Sequence, residues 1–283
     1  MPFLTAGGHR LDYRWIGPAP DREPTLIFLH HGLGCVSTWG ELPARLAEAT
    51  GCGALVYSRQ GYGKSDPVTK RDSRYLHDEA LTVLPEVLAA TGVREPVLIG
   101  HSDGATIALL YAGLAPDKHR VRAVVSIAAH VIYETVSLAS MRQAKRDYAT
   151  GNLRAKLARH HDDVDGAFRG WTDLWDDENL LSWSIVDCLP GISAPVLVIQ
   201  GTQDEYGTLR QVDLICEGVA GPVERLVLDC GHAPHDEMPD VVVPAITRLV
   251  QAALDAPQRP RADNDQVALP DRAIAAASDR KRI

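Results

Sequence analysis

No cysteine pattern in this chain would cross-link it or hold a metal. Its five cysteines, Cys35, Cys52, Cys188, Cys216 and Cys230, are odd in number and none is spaced CxxC. A disulfide framework and a zinc site are therefore not expected, and reduced thiols are. A surplus of positive charge is also missing: 29 Lys and Arg against 37 Asp and Glu leave a formal charge of -8. No basic cluster occurs before the last few residues, which argues against a nucleic-acid partner, since such proteins gather lysine and arginine on one face. Missing too is any run of 18 uncharged apolar residues, and Met1 to Arg10 show no basic segment followed by an apolar one. Together these absences give the expectation of a soluble, cytoplasmic protein with no membrane partner.

What the chain does have is enough apolar residue, 45% of 283, for one large core or a core with an inserted subdomain. Short apolar segments at Tyr13 to Gly17, Thr25 to His30, Ala54 to Ser58, Pro96 to Gly100, Ala123 to Ala128, Ala194 to Gly201 and Glu224 to Leu228 read as strands. Between them, Thr38 to Ala49, His77 to Ala90, Asp103 to Leu114, Leu209 to Glu217 and Val241 to Leu254 read as helices. That alternation predicts an α/β fold, a mostly parallel central sheet flanked by helices. The rhythm breaks after Ala129, where about sixty residues separate two strands, too many for a simple crossover. Residues 1–129 and 191–255 are therefore expected to form the core and 130–190 a mainly helical cap. From 256 to 283 a Pro-, Arg- and Asp-rich stretch reads as a flexible tail.

The chemistry is concentrated at Gly100-His101-Ser102-Asp103-Gly104, between an apolar strand and an apolar helical run. Glycines on both sides allow a turn tight enough to push the serine hydroxyl out above the sheet. A serine hydroxyl is a poor nucleophile at neutral pH, so it needs a histidine to take its proton and an acid to orient that histidine. Both residue types follow in order. Asp204 lies just past the strand ending at Gln200, with Glu205 as its rival, and His232 lies beyond the strand ending at Leu228, with His235 as its rival.

On these residues the chain resembles the alpha/beta-hydrolase superfamily from about Leu11 to Leu254. The motifs that carry the likeness are GHSDG, QGTQDE and CGHAPH, together with HHGLG after an early strand and YSRQGYGKS after the next. The branch it is similar to holds small cytoplasmic esterases and related acyl hydrolases. The resemblance implies Ser102 as nucleophile, His232 as general base and then acid, Asp204 as orienting acid, and the backbone amides of Leu33 and Asp103 as an oxyanion hole. No cofactor and no metal are implied. The substrate would be a small-molecule ester or thioester, and no oligomeric state follows.

Hydrolysis of a carboxylic ester through an acyl-enzyme is the leading expectation. Serine at the nucleophile position disfavours the dehalogenase and epoxide-hydrolase branches, which need a carboxylate there. An acyl-CoA thioesterase is the second reading, with Arg142, Lys145, Arg146 and Arg154 of the cap as candidate phosphate contacts. Carbon-carbon bond hydrolysis is disfavoured by the short Gly32-Leu33-Gly34-Cys35 loop, and a hydrolase-fold receptor is the non-enzymatic reading. Asp103 would oppose charge building on a neighbouring oxyanion, so it is read as a helix-start carboxylate turned from the pocket, with Arg59 as counter-ion in a structural pair. His30 reads as a packed residue. His160 to Asp165 has metal-ligand residue types, but its crowding reads as a solvated cap turn. His31, Trp171, Trp175 and Trp183 are the candidate pocket residues, although helix-spaced Trp171 and Trp175 also suit core packing.

Overall fold

The computed structural model describes residues 2–20, 24–68, 70–117 and 120–256; the expected tail falls outside the described residues from 257 onward. Eight strands form one sheet: β1 Phe3–Ala6, β2 His9–Ile16, β3 Thr25–Leu29, β4 Ala54–Tyr57, β5 Pro96–His101, β6 Ala123–Ile127, β7 Val196–Gly201 and β8 Val223–Leu228. Their order across the sheet is β1-β2-β4-β3-β5-β6-β7-β8. The first two pairings, β1 with β2 and β2 with β4, are antiparallel and the other five parallel, so the mostly parallel sheet is as expected. The extra strand is β1, whose four residues are too short to show a period.

Strands β3, β5, β6 and β7 are buried along their whole length, which explains why they read as continuous apolar runs. Side chains alternate between faces. Leu26, Phe28, Val97 and Ile99 join one buried cluster, and Ile27, Leu29, Leu98 and Val124 join the other. Shortening one of the leucines or isoleucines among these to alanine would cost about 2 to 5 kcal/mol.

Outside the insertion the helices are α1 Leu42–Thr50, α2 Tyr75–Asp78, α3 Leu84–Thr91 and α4 Asp103–Leu114. The stretch expected from Thr38 to Ala49 is a 3-10 turn, Val36–Trp39, followed by α1, which restarts with Pro43 in its first turn. Helices α2 and α3 are joined without a break by a π turn over Glu79–Val83. Helix α4 is buried from Asp103 to Gly113, so it shows no polar face; it lies inside the protein rather than on it.

Between β6 and β7 the chain forms α5 Thr135–Thr150, α6 Leu153–Leu157 and α7 Val164–Trp175, then two 3-10 segments. This is the inserted helical cap. Helix α7 begins where the Asp163 carboxylate accepts the Gly166 N–H at 2.9 Å. It buries Val164, Ala167, Phe168, Trp171 and Trp175, three to four residues apart, on one stripe. The chain ends its described part with α8 Arg210–Gly218, α9 Pro234–Glu237 and α10 Pro239–Asp255. Among the described residues no helix is long and apolar enough to cross a membrane.

Candidate active site

Strand β5 passes into α4 with one residue at the corner, Ser102, whose φ of 54° and ψ of -119° lie where side chains are rarely tolerated. Such a backbone costs about 1 to 3 kcal/mol and persists only where its surroundings over-determine it. Those surroundings are visible. The Ser102 N–H donates to the Ile127 carbonyl at 2.8 Å, and a Cβ on Gly104 would strike the Leu29 carbonyl while one on Gly100 would strike the Gly104 carbonyl. The two glycines of the motif are thus required by close backbone approach. The Asp103 amide opens α4, in the first turn, where amides have no intrahelical acceptor.

Beyond β7, the Asp204 carboxylate is almost fully buried and accepts from the His232 ring Nδ1 at 2.8 Å. A carboxylate only accepts, so Nδ1 carries the hydrogen and the Nε2 lone pair is open. The same carboxylate accepts the Tyr206 N–H at 2.8 Å and the Gln200 Nε2 at 2.7 Å. Burial pushes this carboxyl up, but His232 and the Tyr206 amide more than offset it and hold it below the ordinary carboxylate value. Glu205 is exposed and does not hold the imidazole. His235 packs instead against Trp39 and His101, with ring centroids at 5.3 and 4.6 Å. Ser102 and His232 line one cavity; among the described residues no hydrogen bond joins them.

The loop after β3 is held from beneath. His31 O accepts the Gly34 N–H at 3.0 Å, closing a turn over His31-Gly32-Leu33-Gly34. The Arg59 N–H donates to His30 Nε2 at 3.0 Å, so the His30 hydrogen sits on Nδ1, which donates to the His31 carbonyl at 2.7 Å. The Arg59 guanidinium, fully buried, donates through Nη2 to the carbonyls of His30 (3.1 Å) and His31 (3.0 Å). The same nitrogen lies 3.8 Å from Asp103 Oδ2, and Tyr75 donates its hydroxyl to that carboxylate. Burial opposes the charge on Arg59, but Tyr62, Asp103, Tyr75 and Glu79 raise its pKa above the ordinary value. The Leu33 amide donates a long bond, 3.3 Å, to His31 Nδ1. Burial, followed by the nearby His232 and His235, lowers His31 to about 3, so its ring stays neutral and able to accept.

Above these groups is a cavity of about 280 Å³, lined by His31, Leu33, Ser102, His130, Tyr133, Met141, Trp171, Trp175, Tyr206 and His232 among others. Among the described residues no lysine or arginine lines it, and Glu205 and Asp236 are its acids not already paired with Arg59. Of the expected pocket residues, Trp183 is not in the wall: it packs edge-on to Trp175 with centroids 5.3 Å apart. The cap cations turn elsewhere. Arg142 meets Asp176 and Glu178, Lys145 meets Asp176, and Arg154 meets Asp165. The His160 to Asp165 segment departs from the solvated turn expected of it: His161 is 5% exposed. Both of its ring nitrogens are engaged, with the Gly63 amide and the Leu33 carbonyl at 2.9 Å each. Among the described residues no three His, Cys, Asp or Glu are grouped to hold a metal.

Several of these neighbours carry no sequence signal. His101 does stand inside the GHSDG motif, and its Nε2 donates to the His232 carbonyl at 2.8 Å, tying the corner to the loop of the imidazole. His130, Tyr206 and Gln200 reach the site only through the fold.

A family model described as "Alpha/beta hydrolase family" matches residues 26–245. Among solved structures, the enol-lactonase of Burkholderia xenovorans superposes with a TM-score of 0.68 at 19% identity, covering 88% of this chain and 99% of that one. An esterase of Exiguobacterium antarcticum gives 0.70 at 19% identity, with 88% and 98% covered. The proline iminopeptidase of Mycobacterium smegmatis gives 0.65 at 19% identity, with 89% and 98% covered. No curated protein matches the chain. At such identities the structural likeness speaks for the fold and leaves substrate to the geometry.

Proposed function

The chain belongs to the alpha/beta hydrolase family, and from that premise we propose that it is a serine hydrolase cleaving carboxylic esters of small to medium apolar substrates through an acyl-enzyme. The observation that carries this is the Asp204–His232 pair at 2.8 Å, opening with Ser102 onto one mainly apolar cavity. In the proposed reaction His232 Nε2 takes the Ser102 proton as Oγ attacks the ester carbonyl. The oxyanion settles on the amides of Asp103 and Leu33, the latter exchanging its long bond to His31 for a charged acceptor. His232 then gives the proton to the leaving alcohol, and water, activated in the same way, releases the acid. No cofactor enters.

An ester is favoured over a coenzyme A thioester by charge. Of the cations that would grip phosphates, Arg142, Lys145 and Arg154 are paired with acids of the cap itself and Arg146 donates to the Gln143 side chain; among the described residues none lines the cavity. We also place the enzyme in the cytoplasm, in keeping with its odd number of cysteines and their lack of a CxxC spacing. The test is fluorophosphonate labelling with mass spectrometry to locate the adduct, then an ester and thioester panel on wild type and Ser102→Ala. The adduct is expected on Ser102, and the variant should lose turnover by about a thousandfold or more. An adduct elsewhere, or equal turnover by the variant, overturns the assignment. A single burst without cycling on p-nitrophenyl esters would indicate the receptor instead.

A further inference from the structure

His160 and His161 lie between α6 and α7, and both reach out of the cap to the loop that follows β3. The His161 Nδ1 accepts the Gly63 N–H at 2.9 Å. An amide nitrogen only donates there, so Nε2 bears the ring hydrogen and donates it to the Leu33 carbonyl at 2.9 Å. Burial lowers the His161 pKa, which keeps the ring in the one neutral form that makes both bonds. Beside it Ser37 Oγ meets His160 Nδ1 at 2.8 Å, and the Asp162 N–H donates to the Gly63 carbonyl at 2.9 Å. With both nitrogens occupied, His161 has no lone pair for a metal.

The consequence concerns one peptide plane. The Leu33 N–H belongs to the Gly32-Leu33 peptide. The plane before it is pinned by Arg59 and His30 on the His31 carbonyl. The plane after it is pinned by His161 on the Leu33 carbonyl and by the Gly34 bond to His31. Glycines at 32 and 34 give the backbone no stiffness of its own. We propose that His161 is a positioning residue through which the seated cap aims the Leu33 amide at the reacting carbonyl. This rests on the reading of Leu33 as an oxyanion donor.

The test uses His161→Phe, which keeps a ring and loses both bonds, and His161→Gln, which keeps a donor and an acceptor, in the full chain. Each is assayed for kcat and KM on a p-nitrophenyl ester. Each is also titrated with a trifluoromethyl ketone, which forms an oxyanion on the serine, and with the matching alcohol, which cannot. In His161→Phe, kcat and ketone affinity should fall together by about ten- to a hundredfold, below the loss of a whole donor. KM and alcohol affinity should stay within about threefold, and His161→Gln should recover most of the loss. Unchanged kcat and ketone affinity in folded His161→Phe overturns the proposal, as does an equal loss of ketone and alcohol binding. Should that variant not fold, His161→Asn, which keeps the Gly63 acceptor and loses the reach to Leu33, must show the same split. If wild type itself neither labels at Ser102 nor turns over esters, the hydrolase reading has failed instead. Amide exchange across 31–38 then decides the contact alone: faster in His161→Phe supports it, and unchanged overturns it.

Discussion

Ser102 and Asp204 stand at the ends of strands with every residue buried, whereas the outer side of the cap is held by ion pairs in water. Arg142 and Glu178 are 46% and 68% exposed, and Arg154 and Asp165 are 52% and 43%. Exposed pairs of this kind are screened by water and salt and contribute far less than a buried leucine. The rim of the sheet is therefore held more firmly than the outer face of the cap, and in the proposed reaction the chemistry that tolerates little misplacement falls to the rim.

The largest effect that would break this contrast is at the rim. Asp204→Asn keeps the side-chain volume but cannot hold the His232 tautomer, so kcat should fall by about 10³ to 10⁴ with KM nearly unchanged. Steady-state kinetics that showed a loss in KM alone would mean that the carboxylate serves the pocket, not the imidazole. Next comes Gly104→Ala, whose methyl would meet the Leu29 carbonyl, backbone that cannot swing aside. Denaturant unfolding should show a loss of about 3 kcal/mol or more.

Acid should separate the two regions as well. His30, His101 and His235 are buried, and desolvation lowers the pKa of each. Between those lowered values and about 6.5 the unfolded chain binds protons that the folded one refuses, so stability falls as pH drops below about 6.5. Each histidine contributes up to about 1.4 kcal/mol per pH unit. The cap carboxylate Asp165, held at about 2 by Arg154, loses its partner only as pH falls through that value. Melting temperature against pH from 7 to 4 should therefore decline, and amide exchange should quicken at the rim histidines before the outer face of α5. A flat profile would show that these histidines are not neutral in the folded protein. The smallest effect is the cap-facing twin of Gly104: in Gly32→Ala the three atoms nearest the new methyl all belong to the Trp171 side chain, not to backbone. A side chain gives way more readily than backbone, so stability should change by less than in Gly104→Ala, about 1 kcal/mol, and KM more than kcat.

The rim was legible in the sequence because its signals are local. The central strands are apolar runs, and the corner needs Gly100 and Gly104 within five residues of each other. The family resemblance favoured Asp204 and His232 over Glu205 and His235, and the fold adds the contact that the residues alone could not show, one aimed at the other. The Arg59–Asp103 pair was readable as charge complementarity, but its grip on the His30 and His31 carbonyls was not, because carbonyl direction leaves no trace in residue types. Least legible was His161. Its partners Gly63 and Leu33 lie about a hundred residues earlier, and a segment of two histidines and three aspartates looks solvated until something covers it. Trp183 shows the reverse case, an aromatic with pocket chemistry that the fold places one layer behind Trp175.

The order in which the sheet is laid down has a bearing on biosynthesis. The strand carrying Ser102 is complete before the chain has reached the cap, while the acid and imidazole arrive on the last two strands, β7 and β8. Under the proposed triad, a ribosome making this protein exposes the Ser102 hydroxyl long before the imidazole that would draw off its proton. A message truncated ahead of β8 would then yield a polypeptide lacking His232, expected to be inert toward esters.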